Sequence, residues 1–223
     1  MYAIFECISQ PCRFRFPGSL KEQPVSGYAC PKCGEPTNEV ARPNISDFTK
    51  LKDSVALAEL PHLELFLDNT RSIYNVGSIF RTADGVGVRK LHLSGITATP
   101  DHRKFEKTAL GTDLPWEYHI NGVDAIKRLK GEGYQIWALE EAADSVDLFA
   151  DKPQLSTTQP TVLVLGNEVL GVDPGILEMC DRTLMIPMRG EKKSLNVTIA
   201  CGIAVYQLLN AITLSKSLTK DFK

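Results

Sequence analysis

Two sets of residues in this 223-residue chain have the types and spacing to do chemistry. The first is four cysteines, Cys7 and Cys12 as C-x4-C and Cys30 and Cys33 as C-x2-C, among turn residues such as Pro11, Gly27, Pro31 and Gly34. Tetrahedral zinc takes four soft ligands delivered by two tight turns, and CPKCG is one such turn. So short a segment buries too little core to fold unaided, which gives a metal staple a purpose. Two disulfides or free thiols are the alternatives. The opening MYAIFECISQ lacks the basic and long apolar regions of a secretory signal, which favours zinc.

The second set is spread over three segments: Asn75 and Arg81 in NTRSIYNVGSIFRTADG, Gly166, Asn167 and Glu168 in LVLGNEVLG, and Ser194 and Asn196 in IPMRGEKKSLNV. A guanidinium such as that of Arg81 grips a phosphate through two parallel hydrogen bonds and stabilises a developing alkoxide beside it. Arginine stays protonated in proteins, so it suits that role better than the role of a base. Glu168 suits pairing with Arg81 or holding a hydroxyl, with helix capping as the alternative. Asn75, Ser194 and Asn196 all have a plain alternative as N-caps. Arg71, Arg189, Lys192 and Lys193 flank these segments and are phosphate candidates; His102, Arg103, Lys104 and Lys107 suit phosphates or a solvated helix face. His62, His92 and His119 show no ligand spacing and read as structural.

Positioning such groups requires a scaffold whose loops converge. Apolar runs predict strands over LELFLDN, KLHLSGI, Tyr134 to Leu139, Thr161 to Leu165 and Leu184 to Ile186. They alternate with helical stretches over Asn75 to Gly85, Val123 to Lys130 and Gly175 to Cys180, with a long apolar helix at the C-terminus, which is the pattern of an α/β fold with a parallel sheet. The candidates fall after strands and at helix starts, where such sheets bind ligands. No G-x-G-x-x-G follows the first of these strands, which disfavours dinucleotide binding. The composition shift at Ala41 to Pro61 marks a boundary: a zinc-ribbon-like domain over 1–43, a linker with a short helix capped by Ser46 and running to Ala58 over 44–60, and the α/β domain over 61–223.

Hydrophobic content of 43% and charged content of 23% are those of an ordinary globular protein. With a net charge of −2, any nucleic-acid contact must rest on local patches. Within the ribbon, Arg13, Phe14, Arg15 and Phe16 suit phosphates and bases, or else the two phenylalanines form the ribbon's own core. The apolar run Val197 to Leu214 is interrupted by Gln207 and Asn210 and falls short of the roughly 20 residues of a membrane span, so a cytoplasmic location is expected.

Asn75, Gly77 and Arg81 as N-x-G-x-x-x-R, then Gly166-Asn167-Glu168, then Ile186-Pro187 with Ser194-Leu195-Asn196-Val197, resemble the three motifs of the SpoU (TrmH-like) family of RNA 2′-O-ribose methyltransferases in the SPOUT superfamily. The resemblance runs from about Leu60 to the C-terminus. It implies a SPOUT-type parallel sheet with a C-terminal trefoil knot, S-adenosyl-L-methionine (AdoMet) as cofactor, tRNA or rRNA as substrate, and a homodimer. It implies catalytic roles for Asn75, Arg81, Glu168, Ser194 and Asn196, and cofactor contacts, largely through backbone, at Leu165, Gly166, Ile186, Met188 and Leu195. A glycine often stands soon after the family's glutamate, where this chain has Val169-Leu170-Gly171. Ala200 and Ala204, four apart on the last helix, would let a partner helix come close, or serve core packing. The alternatives are a noncatalytic RNA-binding or assembly factor and a base methyltransferase, and the ribbon is expected to help choose the RNA.

Overall fold

The structure is a computed structural model that describes residues 2–22, 24–42 and 60–218, the side chains of 210–218 excepted. It divides into two compact units, Met1–Ser54 and Val55–Lys223. The helix expected from Ser46 to Ala58 lies outside the described residues.

In the first unit, β1 (Tyr2–Cys7) pairs antiparallel with β2 (Arg15–Ser19) and β3 (Thr37–Ala41). Alternation along β1 turns Ala3, Phe5 and Cys7 inward. Phe5 meets the Tyr28 ring edge-on at 4.9 Å and stacks on Phe16 at 6.0 Å, so Phe16 belongs to the unit's own small core. Arg13 and Arg15 turn back to Glu6, at 2.6 and 3.5 Å. Phe14 stacks on Phe16 at 6.2 Å and is the more exposed of the two phenylalanines.

The second unit is built on a seven-stranded sheet in the order β6-β5-β4-β9-β7-β10-β8, every pairing parallel. Its strands are β4 (Leu63–Asp68), β5 (Leu91–Ser94), β6 (Trp116–His119), β7 (Gln135–Leu139), β8 (Val146–Asp147), β9 (Thr161–Leu165) and β10 (Arg182–Met185). The central β4 and β9 are buried along their whole length, because helices cover both faces. Leu63, Leu65 and Leu67 face α1 (Ile73–Val86), α2 (Phe105–Ala109) and α5 (Val197–Leu218); Phe66 faces α3 (Gly122–Gly131) and α4 (Pro174–Leu177). The sequence pattern did not mark β6 or β8, offered a helix near α2 only as the alternative for His102 to Lys107, and placed the end of β10 one residue late. No helix among the described residues is long and apolar enough to cross a membrane.

Helix α1 begins at Ser72, whose hydroxyl accepts the Asn75 N–H, and ends at Gly87 in the left-handed conformation. Ser72, and not Asn75, is therefore the cap, and the Asn75 side chain is free for other work. On α1's inner face a Cβ at Gly77 would stand 1.9 Å from the Thr108 hydroxyl, so only glycine lets α2 pack this closely. On α5, Ala204 is fully buried in the core and Ala200 lines a cavity. The exposed apolar stripe of that helix is instead Ile199 and Tyr206, with Ile203 half-buried between them.

Candidate active site

The carboxyl ends of β7, β9 and β10 and the start of α5 enclose a cavity of about 920 Å³. It is the place expected for a ligand in an open parallel sheet. Leu165, Gly166, Ile186, Met188 and Leu195 line it, together with Glu168, Ser194 and Asn196. A Cβ on Gly166 would lie 2.3 Å from the Gly171 carbonyl carbon, so the backbone folds onto itself there. The Asn167 side chain closes that turn: its oxygen accepts the N–H groups of Val169 and Leu170, and its amide donates to the Asn69 carbonyl at 2.7 Å. Asn69 itself adopts φ 54°, a conformation that asparagine tolerates better than most residues.

Glu168 projects from this turn to the N-terminus of α1. Its carboxylate accepts the backbone N–H of Arg71 at 2.9 Å, that of Ser72 at 3.2 Å, and the Asn75 amide at 2.7 Å. Burial alone would raise its pKa; those backbone and amide donors outweigh burial and hold it below the usual carboxylate range. The Asn75 oxygen in turn accepts from the Asn196 amide at 3.4 Å. Asn196 caps α5, its side-chain oxygen accepting the Thr198 N–H and hydroxyl at 2.8 and 2.6 Å. One polar chain thus ties the Asn75 segment to two others that lie 93 and 121 residues further along the sequence.

Arg81 stands elsewhere. Six residues after Asn75, it is about 9 Å further along the helix and about 120° around it, exposed, bonded to no described residue and outside the cavity lining. Glu168 does not pair with it. Ser194 faces the cavity with its hydroxyl unbonded to described residues. Arg71, Arg103, Lys104, Lys107, Lys192 and Lys193 are exposed. Sequence reading overlooked Glu140, at the end of β7. It lines the cavity, and its Oε2 accepts the Val172 N–H at 3.0 Å while its Oε1 accepts the Glu141 N–H. ALEE carries no motif, so only the fold reveals it.

Residues 62–206 match the SpoU rRNA Methylase family. The chain belongs to the SpoU rRNA Methylase family. It is 36% identical over 148 residues to the tRNA (guanosine(18)-2′-O)-methyltransferase of Aquifex aeolicus, covering 65% of this chain and 67% of that protein. Against the enzyme of the same name from Escherichia coli the identity is 31%, covering 66% and 62%. The chain therefore spans about two thirds of the length of these curated relatives. The AdoMet-bound rRNA methyltransferase from Sinorhizobium meliloti superposes with a TM-score of 0.59 at 29% identity, covering 69% of this chain and 59% of that one.

The family match begins beyond the N-terminal unit, which holds the cysteines. Cys7 and Cys33 sulfurs are 3.5 Å apart, Cys12 and Cys30 3.8 Å, and all four lie within 4.8 Å of one another. Sulfurs at about 2.3 Å from a tetrahedral zinc stand about 3.8 Å apart, so the spacing fits that metal. Burial raises the Cys30 thiol, but the backbone N–H groups of Lys32 and Cys33 outweigh it and bring it to about 7. The Glu35 N–H lowers Cys33, yet burial and the three neighbouring sulfurs lift it to about 12. Adjacent thiolates oppose one another's ionisation; a central cation relieves that conflict.

The histidines read as scattered are not scattered in space. The Glu64 carboxylate on β4 meets His62 Nε2 at 2.6 Å and His92 Nε2 at 2.7 Å and accepts the Tyr134 hydroxyl at 3.1 Å. His92 Nδ1 lies 2.9 Å from His119 Nε2, and Glu117 beside His119 pairs with Lys90 and Arg128. The imidazoles share a proton at a separation shorter than the roughly 3.3 Å edge of a tetrahedral zinc site, and the Glu117 oxygens are already taken by cations. This is a hydrogen-bonded chain, exposed at His62 and buried from Glu64 to His119, not a metal centre.

Proposed function

We propose that this chain transfers a methyl group from AdoMet to a ribose 2′-hydroxyl of tRNA or rRNA. The observation that carries the reading is the polar chain Glu168–Asn75–Asn196, which joins all three motif segments at the rim of one cavity. The relatives, named as 2′-O-methyltransferases of tRNA and as an AdoMet-bound rRNA methyltransferase, support it.

The cavity has the size of a cofactor site, and Leu165, Ile186, Met188 and Leu195 give it an apolar wall suited to adenine. AdoMet, when bound, supplies an electrophilic methyl on a sulfonium. Transfer would break the S–CH3 bond to leave a neutral thioether, form the O–CH3 bond and release the hydroxyl proton to solvent water, so the protein must hold the 2′-oxygen in line and stabilise its developing charge. Glu168 is a poor base: three donors engage both of its oxygens and keep it ionised. Its part is to fix Asn75 and the entrance of α1. Ser194, with an unengaged hydroxyl at the cavity, is the group suited to meet the ribose.

Arg81 grips a substrate phosphate, and the working unit is a homodimer. Support for the dimer comes from the exposed Ile199 and Tyr206 on α5, and from the distance between Arg81 and the cavity of its own chain. The N-terminal unit, taken as a ribbon domain over 1–43, holds a structural zinc on Cys7, Cys12, Cys30 and Cys33 and contributes to the choice of RNA. The test is transfer of labelled methyl from AdoMet to tRNA and rRNA lacking native modifications, with nucleoside mapping. A single 2′-O-methylated nucleotide is expected; a methylated base, or no transfer to any RNA, overturns the reading. Mixing Arg81→Ala subunits with Asn196→Ala subunits adds a test of the dimer: activity reappears where Arg81 serves its partner's cavity, and stays absent where it serves its own.

A further inference from the structure

Strand ends of the sheet lie side by side in the order β6, β5, β4, β9, β7, β10, and on its own the cavity accounts for the last three. At the carboxyl ends of β5 and β6, three large apolar side chains are exposed: Ile96 at 65%, Tyr118 at 44% and Ile120 at 88%. They form one patch. The Gly95 N–H donates to the His119 carbonyl at 3.0 Å, so Ile96 and Ile120 flank the same rung of the ladder. The Tyr118 hydroxyl donates to the Gly95 carbonyl at 2.7 Å, which fixes its ring against that rung. The patch is an extension of the sheet edge that carries Glu168.

Neighbouring strands stand about 4.8 Å apart, so the end of β6 lies three strands, about 14 Å, from the end of β9. That is two to three nucleotides of an extended strand, at roughly 6 Å each. Cations border the interval. Arg71 follows β4, and Arg103 and Lys104 belong to the loop after β5, each exposed and ion-paired to no described residue. Asp101 and Glu106 lie in the same stretch, so the positive excess comes from Arg71 together with Arg103, Lys104 and Lys107. Apolar and aromatic surface interleaved with uncommitted cations is the chemistry of a platform for unstacked bases. By contrast, Lys90, just before β5, and Arg128 and Lys130, on α3, are tied to Glu117 and Asp181.

We infer that Tyr118 stacks an unpaired base, with Ile96 and Ile120 giving apolar contact beside it, two to three nucleotides from the methylated ribose, so that the substrate is a single-stranded loop of RNA. The inference rests on the RNA reading above and narrows it: a base held in a continuous helix cannot reach the platform.

The test uses the full chain and two labelled probes, a ten-nucleotide oligoadenylate and a ten-base-pair RNA duplex, with binding read by fluorescence anisotropy at several salt concentrations. The triple variant Ile96→Ala/Tyr118→Ala/Ile120→Ala is expected to bind oligoadenylate about tenfold or more weakly. Its salt slope, duplex binding and AdoMet binding should be unchanged. Arg103→Ala/Lys104→Ala should instead flatten the salt slope on both probes. Tyr118→Phe, which keeps the ring, should bind oligoadenylate nearly as the native chain does. Equal binding of oligoadenylate by native and triple-variant chains overturns the inference, and so does a change in sedimentation of the triple variant, which would make the patch a contact between copies. Methyl transfer by the native chain separates this failure from failure of the functional reading: a chain that methylates RNA with no contribution from the patch loses only the platform.

Discussion

Two chains of hydrogen-bonded polar side chains run through the α/β unit, and they differ in what surrounds them. Glu168–Asn75–Asn196 lies at the carboxyl ends of strands, half open, along a cavity; its members hold one another and the starts of α1 and α5. His62–Glu64–His92–His119 lies across β4, β5 and β6 beneath α3, with Glu64 and His92 almost wholly buried and none of the four in the lining of that cavity. Both contain a carboxylate held below its usual range by donors that outweigh burial. The contrast teaches that a perturbed carboxylate marks a functional site only where a reactant has room to reach it. The closed chain is expected to govern stability, and the open one turnover.

Breaking the open chain should give the largest effect. Glu168→Ala removes the acceptor for Arg71 N–H, Ser72 N–H and the Asn75 amide at once. Methyl transfer should fall about 100-fold or more, because Asn75 and the start of α1 lose the group that holds them in place beside the cavity. Urea unfolding should shift by no more than about 1–2 kcal/mol, the cost of a lost cap. Comparable loss of stability and activity would erase the contrast.

Breaking the closed chain should do the reverse. His92→Leu keeps the volume but strips Glu64 of a buried partner at 2.7 Å. The expected cost is about 2–3 kcal/mol in urea unfolding, with an unchanged m-value, because a charged group loses a buried hydrogen bond. The kcat of the remaining folded enzyme should be unaltered.

The difference in legibility between the two chains has a physical cause. The strands β4 and β9 could be read from their sequences, since burial on both faces leaves only apolar residues. β6, a half-polar edge strand of four residues, WEYH, carries no such signal. The open chain could be read because its members sit within short motifs whose spacing is local. His62, His92 and His119 are about thirty residues apart, and only parallel pairing of β4, β5 and β6 makes them neighbours. Asn75 shows the limit of local rules: an asparagine at a helix start reads as a cap, but the serine three residues earlier had already filled that place. Likewise, nothing in ALEE says that Glu140 will meet Val172 N–H.

Glu140 allows a finer cut within the cavity itself. Glu140→Gln keeps an acceptor for one of the two N–H groups it serves and loses the charge. AdoMet affinity should fall by about fivefold, near 1 kcal/mol for one weakened bond, measured by calorimetry, with kcat at saturating AdoMet little changed. A larger drop in kcat than in affinity would place Glu140 with the polar chain at Glu168 and not with the cavity wall.

The closed chain also sets a pH dependence whose sign can be worked out. Burial, followed by the charge of His92, depresses His119 to about 4 from an ordinary 6.5, so the native state favours the neutral ring. Above pH 6.5 folded and unfolded states are both neutral at this position, and its contribution to stability is complete. As the pH falls from 6.5 towards 4, the unfolded chain takes up a proton that the native chain refuses, and stability declines. Glu64 and Glu117, both held below the usual carboxylate range, add their losses only at lower pH. The expected fall between pH 7 and pH 5 is about 1–2 kcal/mol, less than the full shift implies because the loss keeps accumulating until the native ring itself titrates near 4. Urea midpoints across that range measure it, with His119→Gln as the control, since glutamine retains a donor towards His92 Nδ1 and cannot titrate. A slope that survives in the variant would assign the acid sensitivity to a group outside this chain, whereas a flat variant beside a sloping native protein makes His119 its source.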